Sequence, residues 1–164
     1  MPLAVGREWT YVVHAARLTQ VAQVRVSRRI AVDDVNGYEL TGPLGTARLA
    51  WIGPKLVAET LCGATYDPPI TLLDARVPQL PLMWSGTVTT PAGVSKGRAT
   101  LTHLATTTPF ASHTTPAVES ILKLQAGRQR IELDSWFVEG VGLVTQQERS
   151  DDVETVHLSM TGGP

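Results

Sequence analysis

The sequence predicts an all-β fold, in which about ten antiparallel strands form one strongly curved sheet, half-barrel or barrel-like, with little helix. Three observations carry this prediction: Thr and Val are frequent, one long segment alternates between apolar and polar residues, and turn residues recur along the chain. β-branched side chains pack well on a pleated sheet and lose rotamer freedom in a helix, so the composition favours strands. So many strands rarely stay in one flat open sheet, and a barrel, half-barrel or sandwich is therefore expected.

The clearest predicted strand spans residues 21–32. Its apolar residues share one parity, and they are Ala22, Val24, Val26, Ile30 and Val32. A period of two over this length indicates a sheet with one buried face and one solvated face. Arg28 interrupts the apolar parity, which predicts a β-bulge or a sheet edge close to it.

The remaining strands are predicted from β-rich segments between turn residues. Asn36-Gly37 favours a tight hairpin turn. Further strands are expected at residues 38–41, 46–52, 56–61, 84–90, 97–105, 119–124, 129–138, 143–148 and 153–160. Segment 119–124 also fits a short helix that begins at Pro116 behind a Thr115 cap. A strand is favoured there, because Ala126-Gly127 would form a turn into the convincing strand that follows.

Two segments are predicted to interrupt the strand pattern. Residues 66–81 contain four prolines, which remove backbone donors, so we expect a long connection with 70–73 as a short element inside it. Residues 106–116 are rich in Thr and Pro and are expected to form an exposed loop. Gly140 and Gly142 would allow a sharp bend, and this favours a strongly curved sheet over a regular sandwich.

Length and charge limit the class of protein. The 164 residues fit a single β domain, residues 1–164, and the net charge of -1 gives no basic excess for nucleic-acid binding. No apolar run is long enough to span a bilayer. No signal peptide is recognised, so either the protein is cytoplasmic or the chain begins after a removed leader. Cys62 has no second cysteine to pair with, and Leu61 and Gly63 beside it predict a small buried position.

Catalytic and metal-site patterns are not found in the sequence. The four histidines, His14, His103, His113 and His157, have neither strand nor helix spacing for a local metal clamp, although ligands could still converge from distant strands. The acid pairs Asp33-Asp34 and Asp151-Asp152 are typical of turns. No nucleophile motif or phosphate-binding glycine loop is present. We therefore expect no enzyme, no metal and no cofactor.

The tryptophans are the candidate binding residues. Trp9, Trp51, Trp84 and Trp136 are spread through a chain with few other aromatic residues. Four large amphipathic rings either anchor the core or line an apolar pocket. Both alternatives are compatible with the sequence.

The two ends of the chain resemble a known class of proteins. Residues 2–11, PLAVGREWTY, and residues 136–144, WFVEGVGLV, resemble the opening and the closing hairpin of bacterial extracytoplasmic β-domains, which are often lipoproteins. These are similar to the outer-membrane lipoprotein carriers, whose curved sheet surrounds an apolar hollow. The resemblance implies a cell-envelope location and an apolar ligand, and it implies no catalytic residue.

Two functions follow as hypotheses. The first is a non-enzymatic binding module whose curved sheet holds a lipid-like or other apolar molecule. The alternative is a structural or protein-interaction module of the cell envelope, with a solid core and the 106–116 segment as its contact surface, since loops on rigid scaffolds commonly carry function. The location would be extracytoplasmic if a leader was removed, and cytoplasmic otherwise.

Overall fold

A computed structural model describes residues 1–15, 18–43, 45–151 and 153–163, without the side chain of Glu154. The described residues form twelve strands and no helix. The strands are β1 (Glu8–Ala15), β2 (Leu18–Val32), β3 (Val35–Gly42), β4 (Gly45–Ile52), β5 (Lys55–Leu61), β6 (Ala64–Asp74), β7 (Leu82–Thr90), β8 (Gly93–Phe110), β9 (His113–Ala126), β10 (Gln129–Val138), β11 (Gly142–Ser150) and β12 (Val153–Gly162). The all-β, barrel-like prediction is confirmed, and the two strands that it missed are β1 and β6.

The strands form a closed up-and-down barrel. Each strand pairs antiparallel with the next in sequence, and β12 returns to pair with β1. At this seam Val13 lies opposite Leu158, and both side chains are buried. Alternate turns lie at opposite ends of the barrel, so the turns after β2, β4 and β10 share one end with both chain termini.

Strand β2 follows the predicted alternation. Before the bulge, Ala22 and Val26 are fully buried on the barrel interior. Beyond the bulge, Val32 is also fully buried, but it packs in a separate cluster with Ala50 and Val57. The bulge that Arg28 predicts is confirmed, because the β2–β3 register shifts between Val26 and Arg28. The shift leaves Arg28 outside, where its guanidinium donates two hydrogen bonds to the Glu39 carboxylate at 2.8 and 2.9 Å.

The β2–β3 turn lies earlier than the Asn36-Gly37 signal predicts. Asp33 and Asp34 form it with φ angles of 49° and 60°, and the expectation that this acid pair occupies a turn is confirmed. Asn36-Gly37 lies inside β3, so that prediction is wrong. A Cβ on Gly37 would lie 2.6 Å from Val32 Cγ2, so glycine is needed there for close packing and not for a turn. In the second acid pair Asp151 is in a turn, and Asp152 is outside the described residues.

Strand β6 occupies much of the segment that was expected to be a connection, and that prediction is wrong. β6 pairs with β5 at Ala64 and Thr65 and again between Ile70 and Asp74, while its ladder with β7 covers only Thr65 to Asp67. Pro68 and Pro69 follow directly and have no N–H to donate, and they lie in a stretch where β6 has no ladder partner on either side. The indole Nε1 of Trp84 donates to the Pro68 carbonyl at 2.9 Å and bridges the gap.

Strands β8 and β9 form a long hairpin where a loop was expected, and that prediction is also wrong. The pairing continues to Phe110 opposite His113, around a turn at residues 111–112. The threonines that suggested an exposed loop are β-branched and fit a strand. Past the end of the β9–β10 ladder, Phe110 of the hairpin packs against a small cluster that includes Val138 of β10 and Val144 of β11. The strand alternative for 119–124 is confirmed.

The sharp bend predicted at the two late glycines is confirmed as the β10–β11 turn. Gly140 and Gly142 have φ angles of 74° and 113°, which favour glycine. The turn reverses the chain at the end of the barrel that also holds the termini. We call this the closed end, defined by Met1, Trp9, Trp51 and Val141. The opposite end, defined by Gly45, Thr46 and Cys62, is the open end.

Candidate functional site

The barrel interior contains a cavity of about 120 Å³. Side chains from strands all around the barrel line it, among them Leu40, Leu49, Leu56, Leu72, Leu122 and Leu133. These leucines are buried because they occupy the inward parity of their strands. The hollow that remains is therefore almost entirely apolar.

The cavity reaches solvent at the open end. Gly45, Thr46 and Cys62 belong to its lining, and all three are exposed at or beside turns. Ala47, the next inward position on β4, also lines the cavity and is only half-buried. Small side chains at these positions leave space that larger residues would fill, so the opening follows directly from the local sequence.

The closed end is filled by aromatic side chains whose polar atoms are satisfied. Trp9 is fully buried, and its indole Nε1 donates to the Val141 carbonyl at 2.9 Å. Tyr11 Oη donates to the Leu143 carbonyl at 3.0 Å, and Trp51 Nε1 donates to the Met1 carbonyl at 3.0 Å. Buried N–H and O–H groups that find partners allow large rings to pack without a desolvation penalty, so this end forms a solid floor.

The polar side chains in the lining are engaged with the protein. Gln146 Nε2 donates to Ser135 Oγ at 3.1 Å, and Ser120 Oγ donates to the Leu72 carbonyl. These groups do not present free charge to the cavity. The arrangement suits an uncharged apolar guest better than an ionic one.

Cys62 differs from the sequence prediction, because the residue is exposed and not buried. It lies in the β5–β6 turn with a φ of 50°, followed by Gly63, so its backbone is on the surface while its side chain lines the cavity. Burial of the thiol and the nearby Glu148 carboxylate raise the pKa of Cys62 to about 12. The thiol is protonated at neutral pH and is unsuited to nucleophilic catalysis.

The four predicted tryptophans lie in three different places. Trp9 and Trp51 are at the closed end. Trp84 packs edge-on against Tyr66, with ring centroids 6.0 Å apart, beside the β6–β7 gap. Trp136 packs on the outside of the barrel against the Phe110 cluster. No tryptophan is among the described residues that line the cavity, and the leucines that do so could have been found from the inward parity of their strands.

A buried polar group joins β6 to β8. Asp74 is fully buried, and hydrogen bonds from the backbone N–H and guanidinium of Arg76, at 2.7 to 3.1 Å, lower the pKa of its carboxyl to about 2. The Asp74 N–H donates to His103 Nε2 at 2.9 Å. Burial lowers the pKa of His103, against the opposing effect of the Asp74 charge. We interpret these hydrogen bonds as structural, because they join β6 to β8 and no nucleophilic side chain takes part in them.

The remaining histidines do not form a catalytic set. His113 is exposed at the start of β9, and His14 lies opposite His157 across the β1–β12 seam. In the described part of the chain, no group of three or more His, Cys, Asp or Glu residues could hold a metal ion. Nor does that part contain a helix long and apolar enough to cross a membrane.

Solved structures share this barrel over nearly their whole length. A candidate lipoprotein from Parabacteroides distasonis matches with a TM-score of 0.55 and 10% identity, over 98% of this chain and 95% of that one. A candidate exported protein with a YmcC-like fold from Bacteroides fragilis matches with a TM-score of 0.56 and 9% identity, over 98% and 96%. The hypothetical lipoprotein YmcC from Escherichia coli matches with a TM-score of 0.51 and 9% identity, over 100% and 91%.

The fold is therefore shared with candidate lipoproteins and a candidate exported protein of bacteria. At about one identical residue in ten, the likeness concerns the course of the backbone and not any particular side chain. No protein-family model matches the chain, and no curated protein matches it. The geometry of this barrel must therefore carry the functional argument.

Proposed function

We propose that the protein is a non-enzymatic binding module of the bacterial cell envelope, which holds part of an apolar molecule in the cavity at its open end. The observation that carries the proposal is the apolar cavity of about 120 Å³ whose lining includes exposed turn residues. The envelope location is supported by the lipoproteins and exported proteins that share the fold. The closed end supports the proposal as well, because its packed aromatic side chains leave the open end as the way into the cavity.

The size of the cavity limits the ligand. Pockets for whole drug-sized ligands span roughly 300–1,000 Å³, whereas a hollow of about 150 Å³ in a protein core accepts a benzene-sized guest. This cavity holds one small apolar group or the end of one acyl chain, with the rest of the ligand outside the open end. A barrel that encloses an entire lipid is not supported by these dimensions.

The small volume also favours a second candidate function. Most of the barrel interior is filled by its own side chains, including the fully buried Trp9, Val13 and Leu56. A solid core of this kind suits a structural or protein-interaction module that needs no ligand. The long β8–β9 hairpin, which continues past the β9–β10 ladder, would then be the natural contact surface.

A substitution at the open end separates the two functions. Ala47→Leu adds three carbons to a half-buried residue of the cavity lining, and Ala31→Leu makes the same change at an exposed position of β2. Titration of the intact protein with decanol, followed by the NMR signals of its leucine methyl groups, measures binding inside the barrel. We expect Ala47→Leu to weaken decanol binding by about tenfold or more, because the larger side chain occupies cavity space that the alkyl chain of decanol requires.

The expected pattern is saturable binding by the natural protein and by Ala31→Leu, with shifts concentrated on the leucines of the cavity. Absence of saturable shifts in the natural protein would overturn the proposal in favour of the structural alternative. Equal affinity of the Ala47→Leu and Ala31→Leu variants would show that decanol binds elsewhere. Thermal unfolding of both variants provides the control for folding.

A further inference from the structure

The seam that closes the barrel carries two histidines side by side on its outer surface. His14 of β1 and His157 of β12 are direct partners in the β1–β12 ladder, 143 positions apart in sequence. Their ring centroids lie 6.0 Å apart, with an angle of 50° between the ring planes. His14 is exposed and His157 is half-buried, so both rings are accessible from solvent.

Each ring is held through one nitrogen and has the other nitrogen available. His14 Nδ1 lies 2.9 Å from Thr19 Oγ1 on β2, and His157 Nε2 lies 3.2 Å from Ser159 Oγ. Among the described residues, His14 Nε2 and His157 Nδ1 have no hydrogen-bond partner. In metal-ligating histidines the nitrogen that does not bind metal is commonly hydrogen-bonded, which orients the ring. Thr19 and Ser159 orient the two rings in this way, and because a hydroxyl can donate or accept, either ring can take the tautomer that leaves its other nitrogen as a ligand.

The separation of the rings is close to what a shared ion requires. With Zn–N distances of about 2.0–2.1 Å and tetrahedral angles, two imidazole centroids on one zinc ion lie roughly 5 Å apart. The rings must therefore approach each other by about 1 Å, which small rotations about the side-chain bonds of two surface residues provide. Directly opposed residues in an antiparallel ladder have their Cβ atoms near enough for this approach.

We propose that His14 and His157 form a surface site for a divalent transition-metal ion of the zinc class, which clamps the seam of the barrel. Two imidazole nitrogens without a carboxylate suit Zn²⁺, Ni²⁺ or Cu²⁺ and disfavour Ca²⁺ and Mg²⁺, which take oxygen ligands. Gln147 of β11 is the ladder partner of His157, but its side-chain oxygen already accepts a hydrogen bond from Arg149 at 3.0 Å. Water molecules would therefore be the remaining ligands of the ion. The site joins the first strand to the last, and it is independent of the interior cavity.

The first experiment titrates the intact protein with ZnCl₂ by isothermal titration calorimetry, in a buffer that does not bind zinc. We expect one Zn²⁺ per chain, and a loss of affinity of about tenfold or more in His14→Asn and in His157→Asn, since each removes one of two ligands. His113→Asn removes an exposed histidine on the β8–β9 hairpin and serves as the matched control, with unchanged affinity. Thr19→Val, which removes only the orienting hydroxyl, should weaken binding less than His14→Asn does.

A second measurement needs no variant. Diethyl pyrocarbonate modifies accessible imidazoles, and bound Zn²⁺ should protect His14 and His157 while leaving His113 reactive. Zn²⁺ should also slow hydrogen exchange of the β1 amides at the seam. Absence of zinc binding in the natural protein would overturn the proposal, as would unchanged affinity in either seam variant or protection of His113 equal to that of the seam pair.

Discussion

The two ends of the barrel are built from the same twelve strands, but they differ in what fills them. The closed end contains Trp9 and Trp51, each with its indole N–H bonded to a backbone carbonyl. The open end has Gly45, Thr46 and Ala47 in the corresponding inward region of β4, and the cavity lies behind them. Both regions have the strand alternation of a barrel, so the difference comes from the sizes of the inward side chains and from Met1, which packs against the core at the closed end.

This difference shows that the alternation of apolar and polar residues and the volume of the inward side chains determine different properties of a β-barrel. Alternation decides which side chains face inward, and the volumes of those side chains decide whether the interior is solid or hollow. A solid end stabilises the fold, and a hollow end leaves internal space unfilled. Changes at the closed end should therefore affect folding, and changes at the open end should affect chemistry and binding.

The largest expected effect is at the closed end. Trp9→Ala removes a fully buried indole and leaves a void, so we expect a loss of about 3–5 kcal/mol in the free energy of unfolding. Trp136→Ala, which removes a half-buried ring outside the barrel, should cost clearly less. Urea unfolding followed by circular dichroism measures both. Equal losses for the two variants would contradict the view that the closed end is the stabilising floor.

A smaller effect is expected from pH. Burial lowers the pKa of His103 below its ordinary 6.5, so the unfolded chain takes up that proton first. The stability contributed by neutral His103 is present above about pH 6.5 and declines as the pH falls below it. Asp74, with a pKa of about 2 in the folded state and 3.8 ordinarily, adds a second decline only below about pH 4.

His103→Gln tests this order. Glutamine can still accept the Asp74 N–H but does not titrate, so the first decline should disappear while the second remains. Urea unfolding across a series of pH values measures both. A stability profile that is unchanged by His103→Gln between pH values of about 6.5 and 4 would contradict the assignment.

The smallest effect on stability is expected at Cys62 of the open end, where folding should instead have a large effect on the alkylation rate of the thiol. The pKa of about 12 for Cys62, against an ordinary 9, means that the folded protein should react with iodoacetamide about 100-fold or more slowly than the chain unfolded in urea at the same neutral pH. Mass spectrometry of the alkylated protein gives both rates. Cys62→Ser should leave stability nearly unchanged, and similar alkylation rates in both states would contradict the buried position of the thiol.

The fold could be predicted from the sequence where one face of a strand is buried. In β2 the parity of Ala22 and Val26 predicted the strand, and the misplaced Arg28 predicted the bulge, beyond which Val32 packs on the opposite face. Turn residues were a weaker guide. Asn36-Gly37 matched a hairpin signal, but close packing against Val32 explains that glycine, and the neighbouring Asp33-Asp34 pair makes the turn.

The parts that could not be predicted depend on contacts between distant residues. Pro68 and Pro69 indicated a connection because sequence does not show that β6 resumes its pairing with β5 at Ile70, beyond the two prolines. Similarly, His14 and His157 become neighbours only when the last strand returns to the first. The cavity depends on the sum of inward side-chain volumes from many strands, which no local pattern contains.

The short β6–β7 ladder leaves this closed barrel with a length of free sheet edge. From Leu82 to Gly86, β7 has no ladder partner on its β6 side among the described residues, and Met83 on this stretch is 76% exposed. Unpaired edges are templates for the addition of a strand from another molecule, and natural proteins guard them with prolines and short lengths. Pro81 stands directly before β7 and has no N–H to donate, so we expect this proline to discourage the addition of a strand at the start of the free edge.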